Sequence, residues 1–348
     1  MSEEEPPSPK TWQRFYMGYK ERFVEDCTIQ LANGRTVRVK QAPSAKKQQK
    51  KKGSSTLDKD SDPALTGTTV WDGAIVLAQY LTAADTLQRE FAAVKQEQQH
   101  QQLLCQSAAA AAEATGCDNS QVSLQQQQHQ TDTVKPEVPA AGSLSTGRSP
   151  ASACKTASEL PVCLELGAGT GAVSLSLLAA EAVRCALITD IPDMLPHLQH
   201  NIAHNAAILN PRLAHVKALR WSFPADVAAL APLHPPFDLI VGADLVYYSY
   251  TPQTPHSRLL LQSLQQLAGP YSLIYLALSL HHNPEEVEEF LAWCMEWGFS
   301  VTRVTRGLPE QYRVPDVLVV HLRLVDEHKA ATMAAAAAAG TLTRRDET

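Results

Sequence analysis

Short, apolar-rich runs recur through the second half of the chain, at VCLEL (162–166), CALITD (185–190), HVKAL (215–219), FDLIVGAD (237–244) and LIYLALS (273–279). Bounded apolar runs of this kind read as strands buried on both faces. Between them, near 170–181, 193–207, 254–267 and 284–297, apolar residues recur at helical spacing. The alternation predicts a parallel sheet with helices on both faces. The last two runs, GFSVTRVTR and VPDVLVVHLRL, leave no room for a helix between them. A parallel crossover takes roughly a dozen residues or more, so this closing pair is expected to be antiparallel.

An earlier block, residues 11–95, carries a different pattern. CTIQLANGRTVRVKQ alternates around Asn33-Gly34, a strong hairpin signal. In TGTTVWDGAIVLAQYLTAADTLQREF, the positions Ile75, Val76, Leu77, Tyr80 and Leu81 fall mainly on one side of a helix, with Thr69 or Asp72 as its cap. Three stretches have no apolar period: 42–64, which interrupts the first block, 96–158 with its glutamine runs and five successive alanines, and the tail 328–348. Too little apolar surface can be buried there to offset the entropy of ordering, so all three are expected to be disordered or flexible, with local helix in the tail's polyalanine. Residues 159–325 form the main domain.

A net charge of −6 argues against bulk nucleic-acid binding. The opening MSEEEPPSPK is neither a secretory nor a mitochondrial leader, and YSLIYLALSL is too short to cross a bilayer. The seven cysteines are scattered without a CxxC pair, and Cys163 and Cys185 read as reduced core thiols. A cytoplasmic monomer without membrane or nucleic-acid partners is expected. KKQQKKK reads first as a solvated linker and second as a nuclear import signal, which adds the nucleus as an alternative.

The candidate chemistry begins where VCLEL runs into GAGTGA. Gly167, Gly169 and Gly171 allow a tight turn and close backbone approach to a ligand. Asp190 ends the next strand, 23 residues after Gly167, placed to accept from two ribose hydroxyls. NAD and S-adenosylmethionine both satisfy this pattern. Glu165 favours the second, because a carboxylate repels a pyrophosphate and tolerates a cationic amino acid moiety.

VWDGAIVLAQYL, LELGAGTG, LITDIPDMLPHLQHNIAHN, ALRW and ADLVYY, in this order, resemble the family 16 methyltransferases, a group rich in protein-lysine methyltransferases. The resemblance covers both patterned blocks. Within the group, LRW, ADLVYY, NPEEVEEF and EQYRVPDVLVVHLRL look most like the branch that methylates valosin-containing protein, a hexameric AAA ATPase. It implies a class I methyltransferase, Rossmann-like α/β fold. Its mostly parallel seven-stranded sheet would end in an antiparallel hairpin, with an N-terminal hairpin and helix lid. It further implies S-adenosylmethionine as cofactor and a protein lysine as acceptor, on an AAA ATPase or a chaperone. By resemblance Trp71 would lie against the cofactor, with Gly167, Ala168, Gly169 and Gly171 at its methionine end. Asp190 would hold the ribose, Trp221 border the adenine and Ala243 touch the cofactor. Asp244 and Tyr247 would form a D-x-x-Y motif at the methyl-transfer site, with Asp244 free to hold the acceptor's ammonium. Many relatives carry Asp before the tryptophan matching Trp221, where this chain has Arg220, which puts adenine-edge recognition by that position in doubt.

The alternatives are an NAD-linked oxidoreductase and a non-catalytic binding module. No Lys, Tyr or His is well placed for the first. No metal is expected, since His281-His282 are adjacent and no nearby pattern completes a site. A serine nucleophile is unsupported, because no G-x-S-x-G occurs.

Overall fold

The computed structural model describes residues 25–41, 67–83, 85–114, 160–221, 223–230, 237–247, 255–280 and 284–325. The expected structureless stretch 42–64, most of 96–158, the tail 328–348 and the pair His281-His282 lie outside them. The chain divides into two compact units, Met1–Ala92 with Ala157–Thr348, and Ala93–Thr156.

In the first unit, β1 (Asp26–Gln30) and β2 (Thr36–Lys40) pair antiparallel, with Gln30 opposite Thr36. The hairpin closes where the Asn33-Gly34 signal stands, and Gly34 takes the left-handed φ of +82° that its loop requires. Helix α1 (Asp72–Thr82) follows. Helix α2 (Thr86–Ala114) continues well past residue 95, where regular structure was expected to stop. Its Gln, Glu, Leu and Ala residues are strong helix formers, so a segment without an apolar face still takes helical form.

The main sheet has seven strands in the order β5-β4-β3-β6-β7-β9-β8. These are β3 (Val162–Glu165), β4 (Cys185–Asp190), β5 (Ala214–Ala218), β6 (Leu239–Ala243), β7 (Leu273–Ser279), β8 (Phe299–Arg303) and β9 (Val317–Leu324). The first five are parallel, and β9 pairs antiparallel with both β7 and β8. The closing hairpin is thus as expected, and its second strand, not its first, joins the parallel set. Helices α3 (Ala172–Ala179) and α4 (Leu195–His204) join α1 on one face, and α5 (Pro224–Leu230), α6 (His256–Leu267) and α7 (Pro284–Glu296) cover the other. The short α5 was not legible in the pattern. Leu260, Leu264, Val287 and Phe290 of α6 and α7 pack on Leu164, Ile240, Leu276 and Val320 of the sheet. Because successive strand residues alternate faces, Cys163 and Glu165 point to the α1 and α3 side.

The N-terminal hairpin is tied to this core by polar contacts. Asn33 Nδ2 and Arg35 Nη1 donate to the carbonyl of Ala179, at the end of α3, at 3.0 and 2.7 Å. Along α4, Asn201 and Asn205 bond the free edge of β2. Each accepts from one strand N–H, of Lys40 and Arg38 respectively, at 2.9 Å, and donates back to the same residue's carbonyl.

Candidate active site

Strands β3, β4 and β6 end side by side at the point where the chain order of the sheet reverses, the usual ligand crevice of an open α/β sheet. Each delivers a carboxylate there: Glu165, Asp190 and, one residue beyond β6, Asp244. With the segment 67–74 they wall a cavity of about 720 Å³.

Glu165 is only 2 % exposed. Its Oε2 accepts from the Ser174 N–H at 3.0 Å. It thereby caps α3, whose own cap position is Gly171 and has no side chain to offer. Burial pushes its carboxyl up to about 7, against the hydrogen bonds from Ser174 and Val173. Asp190 accepts from the Gly169 N–H at 2.6 Å and from the Ile191 N–H at 2.7 Å. Burial raises its pKa, and these two amides act in the opposite sense.

The Oδ2 of Asp244 accepts from the Gly73 N–H at 2.8 Å, and its Oδ1 accepts from the Ser279 hydroxyl. Both oxygens of Asp244 are thus engaged inside the protein, one by a helix N-terminus with unsatisfied amides, while the residue still lines the cavity. The cap position of α1 falls on Trp71, which makes no side-chain cap bond, and not on Thr69 or Asp72. Both helices that border the cavity thus borrow a carboxylate from a strand end.

The glycine loop is shaped by close approach. Gly167 and Gly169 have φ of +53° and +54°. A Cβ on Gly169 would stand 2.6 Å from the carbonyl oxygen of Gly67, and one on Gly167 would stand 2.6 Å from a methyl of Leu245. Ala168 lines the cavity between them. Gly171 sits behind the loop against Leu198 and starts α3. It is the one expected site residue that does not line the cavity. Trp71, Trp221 and Ala243 do line it. So does Tyr247, whose ring lies 6.0 Å from that of His256. Burial raises the Tyr247 hydroxyl, and the charges of Asp190 and Glu286 add to the effect. At the rim, Arg220 bonds Asp226 through Nε and Nη2 at 2.8 and 3.0 Å and lies 4.3 Å over the ring of Phe223.

Sequence reasoning missed Gly73, Ser279 and Phe223. A glycine in the first turn of an apolar helix was a signal for Gly73; the other two had none. Among the described residues no cluster of three or more His, Cys, Asp or Glu is placed to hold a metal ion, and no helix is long and apolar enough to cross a membrane.

The cavity therefore joins three carboxylates to apolar and aromatic walls, and its arginine is already paired with Asp226. The N-terminus of α3, where an anion would normally find free amides, is filled by Glu165. Such a pocket favours a ligand carrying positive charge.

A family model described as lysine methyltransferase matches residues 119–296, just over half of the chain. EEF1A lysine methyltransferase 3 of Xenopus tropicalis is 36 % identical over 127 residues, which cover 34 % of this chain and 47 % of that protein. Its Mus musculus counterpart is 39 % identical over 119 residues, 33 % of this chain and 43 % of that protein. Protein-lysine methyltransferase METTL21E of Mus musculus is 40 % identical over 86 residues, 24 % of this chain and 33 % of that protein. The chain thus spans less than half the length of these curated relatives. Among solved structures, a TehB-like SAM-dependent methyltransferase from Corynebacterium glutamicum aligns with a TM-score of 0.35 at 15 % identity, over 47 % of this chain and 80 % of that one. With its family model matched across the glycine loop and all three strand-end carboxylates, the chain belongs to the lysine methyltransferase family.

Proposed function

We propose that this chain is an S-adenosylmethionine-dependent protein-lysine N-methyltransferase. The observation that carries the reading is the filled N-terminus of α3. A dinucleotide would bring its pyrophosphate to that helix end, onto the carboxylate of Glu165. A cationic cofactor meets attraction there instead, so the oxidoreductase alternative loses its binding site. The complete cavity with its tyrosine wall disfavours a non-catalytic module.

The residues present fit this cofactor. Asp190 has about four acceptor positions and spends two on backbone amides, which leaves two for ribose hydroxyls. The cradle of Gly167, Ala168 and Gly169 takes the methionine end, where Glu165 faces positive charge. Trp71 covers the cofactor from the N-terminal block, Trp221 borders the adenine, and Ala243 lets the ligand approach the end of β6. When bound, S-adenosylmethionine supplies a methyl group already activated by its sulfonium, so the chain needs no nucleophile of its own. What remains for the protein is alignment and exclusion of water. An acceptor lysine must first lose a proton, at about 1.4 kcal/mol for each pH unit below its pKa. A half-buried slot walled by Tyr247 lowers that pKa by desolvation and offers a π face to the cation.

The acceptor is a lysine on a protein. The stretches shared with the branch acting on an AAA ATPase make a hexameric ATPase or a chaperone the first candidate, met in the cytoplasm by a monomeric enzyme. Calorimetric titration of the full-length chain with S-adenosylhomocysteine and with NAD tests the cofactor. Binding of NAD alone would end this reading. Tritiated methyl transfer into host lysate, with mass spectrometry of the labelled bands, tests the acceptor. Label on arginine or histidine instead of lysine would overturn it.

A further inference from the structure

The remaining structure-specific feature of the site is the way Asp244 is held. Its backbone has a φ of +55°, a conformation that side-chain-bearing residues rarely adopt, and its N–H bonds the Ala277 carbonyl at 2.8 Å. The carboxylate lines the cavity and is held at both oxygens. One oxygen takes the Gly73 N–H in the first turn of α1, and the other takes the hydroxyl of Ser279, the last residue of β7. The fit at α1 is close: a Cβ on Gly73 would stand 2.6 Å from Oδ2 of Asp244 and 2.8 Å from its Cγ. The segment held in this way includes Gly67, Thr69, Trp71 and Ala74, all of which line the cavity, and the Gly67 carbonyl rests against Gly169 of the glycine loop.

We infer that Gly73, Asp244 and Ser279 form a latch that fixes the N-terminal helix over the cofactor cavity, so that Asp244 is a positioning residue acting through α1 and Trp71. The inference rests on the cofactor reading above. Residue types at all three positions follow from it. A carboxylate suits the contact because it answers a helix N-terminus and a hydroxyl at once. Glycine at 73 is required by the approach of the carboxylate, at the expense of helix propensity. The left-handed turn at Asp244 swings the side chain from the strand end onto α1. An acceptor-holding aspartate would need none of these.

The two roles give different kinetics. If Asp244 holds an acceptor ammonium, its loss lowers turnover at saturating cofactor and spares cofactor affinity. If it is a latch, cofactor affinity falls, and the same follows from changes at Gly73 and Ser279 that leave the carboxylate in place. The test is calorimetry of S-adenosylhomocysteine on full-length wild type, Asp244→Asn, Gly73→Ala and Ser279→Ala, with melting curves to confirm folding. Gly73→Ala should raise Kd about tenfold or more, and Ser279→Ala should raise it by roughly threefold to tenfold, as expected for lost charge-assisted hydrogen bonds. In lysate labelling, Ser279→Ala should raise the apparent KM for S-adenosylmethionine and keep the plateau. If Gly73→Ala does not fold, Ser279→Ala decides. Wild-type affinity in folded Ser279→Ala and Gly73→Ala, or a lost plateau with unchanged Kd in Asp244→Asn, overturns the latch. Failure of the wild type itself to bind S-adenosylhomocysteine would instead overturn the cofactor assignment.

Discussion

Two carboxylates in the cavity do different physical work, and substitution separates them. Asp190 orders the loop through Gly169 and Ile191, and in the proposed reading its remaining acceptor capacity serves the cofactor. Asp190→Ala should weaken S-adenosylhomocysteine binding by on the order of 2–3 kcal/mol, the worth of charge-assisted bonds, which is about a hundredfold in Kd. Calorimetry on the folded variant checks this, and an unchanged affinity would remove Asp190 from the cofactor site. Glu165 carries a pH signature. Its carboxyl sits at about 7 in the fold, above its ordinary 4.5, because burial disfavours the charge. With a raised folded pKa, the stabilising contribution is complete below about pH 4.5 and is lost as pH rises to 7. At 1.36 kcal/mol per unit the loss amounts to about 3 kcal/mol. The ligand-free wild type should therefore lose melting temperature between pH 5 and 7.5 relative to Glu165→Gln. Affinity for S-adenosylmethionine should rise across the same window, as the ionised carboxylate answers the cation. Parallel pH profiles for the two proteins would show that Glu165 does not titrate there.

Among the elements, the N-terminal hairpin is joined to α4 by two asparagines that stand in for a strand. Asn201 and Asn205 are both buried, and each satisfies the N–H and C=O of one residue on the edge of β2. Either alanine substitution leaves two backbone groups without these partners and should cost roughly 2–4 kcal/mol of stability. Their remaining contacts differ: Asn201 Nδ2 also donates to the Thr170 carbonyl in the glycine loop, at 2.9 Å, whereas Asn205 Nδ2 also donates to the Asn201 carbonyl, at 2.8 Å. Both variants should melt several degrees lower, and only Asn201→Ala should also bind S-adenosylhomocysteine more weakly. Equal affinity in the two variants would uncouple the hairpin from the loop. The sequence predicted the hairpin and α4 from turn chemistry and apolar spacing. It did not predict their junction, because side chains bonding a strand edge leave no periodic trace.

For the whole molecule, residues 93–156 form a unit of their own, and every described residue lining the cavity belongs to the other. Deleting 96–155 should leave cofactor binding and methyl transfer largely intact, since loop-closure entropy changes slowly with length. Calorimetry and lysate labelling of the shortened chain test this. Loss of cofactor binding in a folded deletion variant would make the segment part of the structure that holds the cofactor.

Local chemistry was enough to establish much of this protein from its sequence. Alternating apolar runs set the parallel sheet with its antiparallel close, because burial on both faces and short connections allow few other arrangements. Asn33-Gly34 placed the hairpin, and Gly167, Gly169 and Asp190 were legible as neighbours that meet at one cavity, because each depends on residues close along the chain. Tertiary structure alone decided the rest. It put β9 between β7 and β8, since either strand of the closing hairpin could have joined the sheet with the same local pattern. It brought Asp244 to Gly73, 171 residues away along the chain, and Glu165 to the amide of Ser174. Helix ends accept any carboxylate that the packed chain delivers, and which one arrives is set by how the strands and helices stack.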